Sequence, residues 1–147
     1  MIRRLGISAA LLGLAACLGP PHHTVAPFDP ANCYTREFSV YFESQSTEIT
    51  PAARDVMEAM SETLRGCTIQ RVVIVGEADA RGSEVTSEDL SERRAEALGD
   101  FISQRLAWPR SRTELLARGE HGATTPEGLN VPVRNRAQIT VEAVAPQ

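Results

Sequence analysis

Residues 71–82 read RVVIVGEADARG and are the best guide to how this chain folds. The first five, Arg71 to Val75, form a short and almost wholly apolar run, which is typical of a strand in the middle of a sheet. A loop from Gly76 to Gly82 follows this run. Ser87 then offers an N-cap for a long helix over residues 88–106. The stretch therefore predicts a buried strand, a loop and a long helix in succession.

Further strand and helix patterns lie on both sides of this unit. Residues 38–42 alternate as a first strand should, and Thr50-Pro51 supplies an N-cap with proline at the first helical position. Leu115-Leu116 marks a third strand, and residues 139–143 are apolar at alternate positions, as in a last strand. The order βαβαββ predicts an α/β (α+β) sandwich in which the helices pack on one face of a mixed sheet.

The first helix is expected to bury one apolar stripe. Helical spacing puts Val56, Met60 and Leu64 on this stripe, with Ala53 and Met57 beside them. Gly66 is the expected C-cap, because glycine tolerates the left-handed conformation that ends many helices.

Length and charge restrict the class of protein. The chain has 147 residues, of which 42% are hydrophobic, which suits one modest domain. All 15 basic residues are arginine. The first sixteen residues contain two of these arginines and none of the 19 acidic residues, so without them the net charge changes from −4 to −6. Such an acidic chain is a poor candidate for binding nucleic acid.

The N-terminus has the pattern of an export signal. Arg3 and Arg4 precede an apolar run from Leu5 to Ala16, which is about half the ~20 residues that a membrane-spanning helix needs. Leu14-Ala15-Ala16-Cys17 resembles the lipobox of bacterial lipoproteins, which implies that Cys17 is acylated and becomes the new N-terminus. Several acyl chains give stable anchoring. The alternative is an ordinary cleaved signal with a chance cysteine.

The residue after the lipobox and the following segment extend this interpretation. Leu18 stands where aspartate would favour retention in the inner membrane, so the expected location is the outer membrane, with the domain facing the periplasm. We expect residues 1–16 to be a signal peptide, 17–36 a lipidated, proline-rich tether and 37–145 the folded domain. His22-His23 in the tether is expected to be a solvated spacer.

The cysteine count agrees with an exported protein. The chain has three cysteines, and Cys17 is expected to carry the acyl chains. Cys33 and Cys67 then remain as a pair in an oxidising compartment, which predicts a structural disulfide. A redox role is disfavoured because the chain has no C-x-x-C, and a metal site would need more ligands.

The long helix carries an arginine where a core residue is expected. On a helical wheel, Leu90, Ala97, Leu98 and Phe101 share one face, with Arg94 in the middle of that face and Arg93 on its flank. A buried arginine is costly unless its charge is matched. Arg94 is therefore expected either to pair inside the protein or to face a groove near the start of the helix.

Asp79 is the obvious partner of this arginine. It lies in the loop after the buried strand, and in a βα unit that loop and the first turns of the helix share one edge of the sheet, where ligands bind. The Asp79 carboxylate could bind an ammonium group, and the Arg94 guanidinium could bind a carboxylate. Together they would recognise a zwitterion, such as the free amino-acid end of a diamino acid. The alternative is that Asp79 and Arg94 only bridge each other.

Two motifs resemble a known family. Gly76-Glu77-Ala78-Asp79-Ala80-Arg81-Gly82 and Leu90-Ser91-Glu92-Arg93-Arg94-Ala95 resemble the OmpA C-terminal and Pal signature G-H-[TA]-D-x-x-G, seven residues, then L-[SG]-x-R-R-A. Val40-Tyr41-Phe42 with Thr50-Pro51 resembles the family's first strand and helix start, and Asn135-Arg136 resembles its N-R-R. The resemblance covers residues 38–143, nearly the whole expected domain.

This resemblance implies an OmpA-like domain that binds peptidoglycan through the diaminopimelate of its stem peptide. Asp79 and Arg94 fall on the family's binding residues, and the backbone of Phe42, Glu43 and Ser44 is expected to line the groove. The resemblance further implies envelope tethering, with Tol-type or other envelope proteins as candidate partners, and neither cofactor nor metal. The residues expected to support the site are Gly76, Glu77, Gly82, Leu90, Arg93, Asn135 and Arg136.

Several family positions differ in this chain. Glu77 replaces the histidine of the family's G-H-[TA]-D motif. It is expected either to strengthen ammonium binding or to compete for Arg94. Thr86-Ser87 replaces the family's Y-N, and Glu43-Ser44-Gln45 replaces its D-F-D. The family's N-R-R is only partly kept, as Asn135-Arg136-Ala137. The alternative function is therefore a divergent OmpA-like domain that serves as a structural or protein-interaction subunit without binding peptidoglycan.

An enzyme is disfavoured by the same residues. Glu77 and Asp79 offer a pair of carboxylates, but neither an obvious nucleophile nor a metal cluster accompanies them. His121, in a loop with glycine on either side, is expected to be a solvent-facing side chain and not a general base.

Overall fold

The elements follow one another in the predicted βαβαββ order. The computed structural model describes residues 27–79, 84–129 and 135–147. The predicted signal, lipobox and His22-His23 lie outside these residues, as does Gly82. The regular elements are β1 (Arg36–Tyr41), α1 (Pro51–Thr63), β2 (Thr68–Gly76), α2 (Glu84–Arg105), β3 (Thr113–Ala117) and β4 (Arg136–Val144), with short 3-10 turns at Pro30–Asn32 and Arg110–Arg112.

The four strands form one mixed sheet in the order β1-β4-β2-β3. β2 runs parallel to β3, and β4 lies between β1 and β2, antiparallel to both. Tyr41 at the end of β1 pairs with Arg136 at the start of β4, and Gly76 at the end of β2 pairs with Ala137. The ends of β1 and β2 and the beginning of β4 therefore meet at one edge of the sheet.

The core lies on one face of this sheet. Val72 and Ile74 of β2 are fully buried, whereas Val73 and Val75 are half-buried, because the helices cover one face and leave the other open. The almost wholly apolar run is thus a central strand that is covered on one face. Its side chains alternate between buried and half-buried, although the sequence itself does not alternate between apolar and polar residues. The main buried side chains from both helices and from strands β1, β2 and β4 form one cluster: Val40, Met57, Val72, Ile74, Leu98, Ile102, Ile139 and Val141.

Helix α1 begins as predicted but is rotated from the predicted stripe. The Thr50 hydroxyl accepts a hydrogen bond from the Ala53 amide at 3.1 Å, and Pro51 is the first helical residue. Met57 is fully buried, whereas Val56 is 41% exposed, so its predicted place on the core stripe is wrong. The C-cap is Leu64, not Gly66, which adopts a left-handed conformation (φ +84°) in the turn that follows.

Helix α2 starts earlier than predicted. It begins at Glu84, so Ser87 lies inside the helix and is not its N-cap. The buried Ser87 hydroxyl instead donates a hydrogen bond to the Glu120 carboxylate at 3.1 Å, beside the loop after β3. A serine near a helix start favours a cap locally, but here a tertiary partner determines its role.

The predicted disulfide is confirmed. Cys33 and Cys67 are bonded, with Cα atoms 5.5 Å apart. The bond joins the segment before β1 to the residue before β2, where Phe28 also packs against Gly66. It therefore lies at the end of the sheet opposite to the edge where β2 ends.

Among the helices that the structure describes, none has the length and apolar character needed to span a membrane.

Candidate binding site

The candidate site lies at the edge of the sheet where β2 ends. The loop after β2 (77–79), the segment after β1 (42–46), helix α2 and the start of β4 come together there. This is the edge that the strand–loop–helix pattern predicted, and it brings residues that are distant in the sequence into contact.

Arg94 is the centre of this site. It is fully buried, yet it lies among hydrogen-bond acceptors and not in the apolar core. Its Nε donates to the carbonyl of Ser46 (2.9 Å), Nη1 to that of Glu77 (2.8 Å) and Nη2 to that of Glu43 (3.1 Å). The ring of Phe42 lies under the guanidinium, with its centroid 5.0 Å from Cζ. These contacts offset the free-energy cost of removing a charged arginine from water on the inner face of a helix.

The electrostatics of Arg94 follow from this burial. Loss of water lowers the pKa of Arg94, and the negative charge of Asp79 acts in the opposite direction. The nearby carboxylate therefore helps to keep a buried guanidinium charged.

Asn135 connects Arg94 to Asp79. Its Nδ2 donates to Oδ2 of the buried Asp79 at 2.7 Å, and its Oδ1 accepts from Nη2 of Arg94 at 3.0 Å. The two residues predicted to hold a zwitterion are thus brought together, and one amide side chain fixes both. Asn135 precedes β4 directly, so the sheet itself holds the bridge in position.

Glu77 takes a role that the sequence did not indicate. Its carboxylate is 1% exposed and accepts from Nη1 of Arg118 at 2.9 Å and from Nε of Arg136 at 2.8 Å. The hydrogen bond and charge of Glu77 raise the pKa of Arg136. The Glu77 carboxylate thus holds two other arginines, and it is the backbone carbonyl of Glu77 that Arg94 contacts. The predicted effect of Glu77 on ammonium binding stays a prediction.

Gly76 allows β2 and α2 to approach closely. A Cβ atom at this position would overlap the backbone carbonyl of Ser91. The Ser91 hydroxyl accepts from the amide of Gly119 at 3.0 Å, so it also holds the loop after β3. Gly76 therefore allows α2 to pack closely on β2, and Ser91, which sequence reasoning missed, holds the loop after β3 at the same place.

The remaining predicted residues divide into two groups. Leu90 is buried beside the site, and Glu43 contributes its backbone carbonyl while its side chain is exposed. Ser44 is exposed and lies between Glu43 and Ser46, whose carbonyls contact Arg94, whereas Arg93 points to solvent and pairs with Asp89 one turn earlier. His121 is exposed, as predicted.

Sequence reasoning also missed Ser46 and Arg118. Ser46 acts through its backbone carbonyl, which no side-chain pattern reveals. Arg118 follows β3, whose parallel register pairs Gly76 with Ala117 and so places the next residues, Glu77 and Arg118, side by side.

In the described ranges, no group of three or more His, Cys, Asp or Glu side chains is arranged to hold a metal ion.

Comparison with known proteins agrees with this geometry. The sequence profile of the OmpA family matches residues 41–138, which is more than half of the chain and includes the whole Arg94 cluster. The chain belongs to the OmpA family. It is 32% identical over 80 residues to the peptidoglycan-associated lipoprotein of Pseudomonas aeruginosa, a match that covers 54% of this chain and 46% of that protein. The matched region thus spans about half the length of this relative.

Solved structures of the family share the fold at lower identity. The OmpA-like domain of FopA1 from Francisella tularensis superposes with a TM-score of 0.62 at 16% identity, covering 75% of this chain and 74% of that one. The peptidoglycan-associated lipoprotein from Burkholderia pseudomallei gives a TM-score of 0.57 at 22% identity, with 70% and 88% covered. The cell wall anchor of the T6SS from Pseudomonas aeruginosa gives 0.57 at 20%, with 75% and 82% covered.

Proposed function

We propose that this protein binds peptidoglycan non-covalently through the diaminopimelate of its stem peptide and tethers the outer membrane to the cell wall. The observation that carries the proposal is the bridge through Asn135, which sets a carboxylate and a guanidinium side by side at one edge of the sheet. The P. aeruginosa relative, a peptidoglycan-associated lipoprotein by name, supports the same class of ligand.

The free end of diaminopimelate carries one ammonium and one carboxylate. The ammonium would bind the Asp79 carboxylate, and the carboxylate would bind the Arg94 guanidinium, whose planar fork suits two parallel hydrogen bonds. Arg94 already donates to three backbone carbonyls, so the ligand carboxylate would replace one of them as an acceptor. The carbonyls of Glu43 and Ser46 are the candidates, because they lie in the non-helical segment between β1 and α1.

The tether is the second part of the proposal. Residues 1–16 would be removed as a signal peptide, Cys17 would carry the acyl chains, and residues 17–36 would join the membrane to a domain over residues 37–145 in the periplasm. The Cys33–Cys67 disulfide supports an oxidising compartment. The tether would enter at the end of the sheet opposite to Asp79 and Arg94, so the site would face away from the membrane.

Retention on purified sacculi tests the binding site. Asp79→Asn keeps the shape of the side chain but removes the charge that would bind the ammonium. We expect this variant to be lost from sacculi that retain the wild type, whereas Asp100→Asn, on the exposed face of α2, is retained. Equal retention of all three proteins would refute the proposed site.

Arg94 needs a different substitution because it also holds the fold together. Removing the whole side chain would leave three backbone carbonyls, among them the buried one of Glu77, without this donor, so loss of binding by Arg94→Ala would not separate binding from folding. Arg94→Lys keeps the charge but loses the planar fork. We expect it to bind sacculi more weakly while its circular dichroism spectrum still reports a folded domain.

A second candidate function follows from the departures around the site. Glu77 engages Arg118 and Arg136, and Arg94 already donates four hydrogen bonds to protein acceptors, so a domain whose site is purely structural is the alternative. Such a protein would serve as a structural or protein-interaction subunit of an envelope assembly. Wild-type protein that fails to bind sacculi but co-purifies with a defined envelope partner, Tol-type or other, would favour it. In either case we expect no turnover of muropeptides.

A further inference from the structure

Two partly exposed arginines stand side by side on the open face of the sheet. The side chain of Arg118 is 45% exposed and that of Arg136 is 26% exposed. Each donates one nitrogen to the buried carboxylate of Glu77, so this carboxylate sets the position of both guanidinium groups. A guanidinium has five N–H donors, so one hydrogen bond to Glu77 and, for Arg136, a further one to Tyr41 use only part of the donors of each group.

The charge of this cluster is not balanced. Glu77 supplies one negative charge to two arginines, and one arginine would be enough to neutralise it. The Tyr41 side chain on the neighbouring strand hydrogen-bonds to Arg136 and raises the pKa of Arg136 further. The cluster therefore presents one excess positive charge on a domain that is acidic as a whole.

The backbone around the cluster is fixed independently of these side chains. The amide of Glu77 donates to the Arg136 carbonyl at 2.9 Å, and the amide of Arg118 donates to the Gly76 carbonyl at 2.9 Å. The arginines are thus mounted on a rigid sheet edge, which limits the entropy that they lose on binding a ligand.

The cluster adjoins the Asp79–Arg94 site. Glu77 and Asp79 are two residues apart, so their Cα atoms are at most about 7 Å from one another, and Asn135 is the direct neighbour of Arg136. The Glu77 carbonyl accepts from Arg94 while its carboxylate accepts from Arg118 and Arg136, so one residue connects the two sites.

We propose that Arg118 and Arg136 bind a second carboxylate of the stem peptide whose diaminopimelate is held by Asp79 and Arg94. This inference rests on the proposed function. A carboxylate matches both the single excess charge and the planar donor pattern of guanidinium groups. A stem tetrapeptide offers two carboxylates of this kind, the α-carboxylate of its γ-linked glutamate and the carboxylate of its terminal alanine.

Calorimetric titration with four ligands tests the proposal and distinguishes these sources. The ligands are free diaminopimelate, the tetrapeptide, and two tetrapeptides that are amidated at one or the other carboxylate. We expect the wild type to bind the tetrapeptide about tenfold more tightly than one of the amidated forms, the size of one charge-assisted contact. The form that loses affinity identifies the carboxylate.

Variants assign this preference to the cluster. Arg118→Gln should remove the preference for the tetrapeptide over its amidated form. Arg71→Gln is the matched control, since Arg71 is a paired arginine at the other end of the same open face, and it should keep the preference. If Arg118→Gln does not fold, Arg118→Lys keeps the charge and should still lose most of the preference, because lysine lacks the fork.

The outcomes separate the two proposals. A wild type that binds free diaminopimelate but does not discriminate between the tetrapeptide and its amidated forms would overturn this inference alone. Retained preference in Arg118→Gln would do the same. A wild type that binds none of the four ligands would overturn the proposed function and this inference with it.

Discussion

The side-chain amide of Asn135 donates to the carboxylate of Asp79 at 2.7 Å, across 56 residues of sequence. Because the same amide accepts from Arg94, one neutral side chain holds two opposite charges in a fixed relative position. A direct Asp79–Arg94 ion pair was the alternative interpretation of the sequence. An amide between the two charges keeps them together without requiring each to be the other's sole partner.

The Asn135 bridge should contribute measurably to stability. Asn135→Ala removes one acceptor from a buried guanidinium and one donor from a buried carboxylate. Hydrogen bonds to charged groups stabilise by about 1.5–3 kcal/mol each, so we expect the free energy of unfolding in urea to fall by about 2–4 kcal/mol. Gln138→Ala, in the strand β4 that follows Asn135, is the control, because the Gln138 side chain hydrogen-bonds to the exposed side chain of Glu37. Equal losses in both variants would show that the bridge is energetically unimportant.

The contact between β2 and α2 predicts a strong effect at Gly76. In Gly76→Ala the new methyl group would overlap the Ser91 carbonyl, so the helix must move away from the strand. We expect a loss of about 1–3 kcal/mol or more in the free energy of unfolding, together with weaker binding of sacculi, because α2 carries Arg94.

Gly128→Ala provides the comparison for Gly76. Gly128 has a φ of +80° and open space around it, so an alanine there meets backbone strain but no clash. We expect a loss of about 1–2 kcal/mol at this position, the cost of a left-handed conformation, with unchanged binding. If Gly76→Ala proved the milder variant, the close approach would not limit stability.

Local patterns predicted the order of the elements and the unusual position of Arg94. The helical wheel placed Arg94 on the inner face of α2, and the structure agrees, because this prediction needs only the helical period. The same reasoning failed for Val56, where a shift of one position along the helix moves a side chain from the core to solvent. Ser87 failed because its partner, Glu120, is remote in the sequence.

The contacts of the site were harder to predict than its members. Three of the acceptors of Arg94 are backbone carbonyls, which every residue possesses and no composition reveals. The ion pairs of Glu77 with Arg118 and Arg136 depend on strand register, which brings together residues 41 and 59 positions apart. Sequence motifs identified Asp79, Arg94, Asn135 and Arg136, but only the fold gives their partners.

The N-cap of α1 offers a test of a single hydroxyl group, which also donates to the Tyr41 carbonyl at 3.4 Å. Thr50→Ala removes the oxygen that accepts from the Ala53 amide and should lower the free energy of unfolding by about 1 kcal/mol. Thr50→Ser keeps the oxygen and should restore most of this loss in thermal unfolding. If Thr50→Ser were as unstable as Thr50→Ala, the methyl group and not the cap would be responsible.

The disulfide predicts a separation of stability from binding. Cys33–Cys67 closes a loop with a sequence separation of 34 residues, and the chain-entropy model gives about 3–4 kcal/mol for a loop of this size. The bond precedes β2, whereas Asp79 follows it, and nine residues of strand at about 3.3 Å each place them roughly 30 Å apart. The double variant Cys33→Ala/Cys67→Ala should therefore unfold at a lower urea concentration but bind sacculi like the wild type under conditions where both are folded. Loss of binding by a folded double variant would show that the two ends of the sheet are coupled.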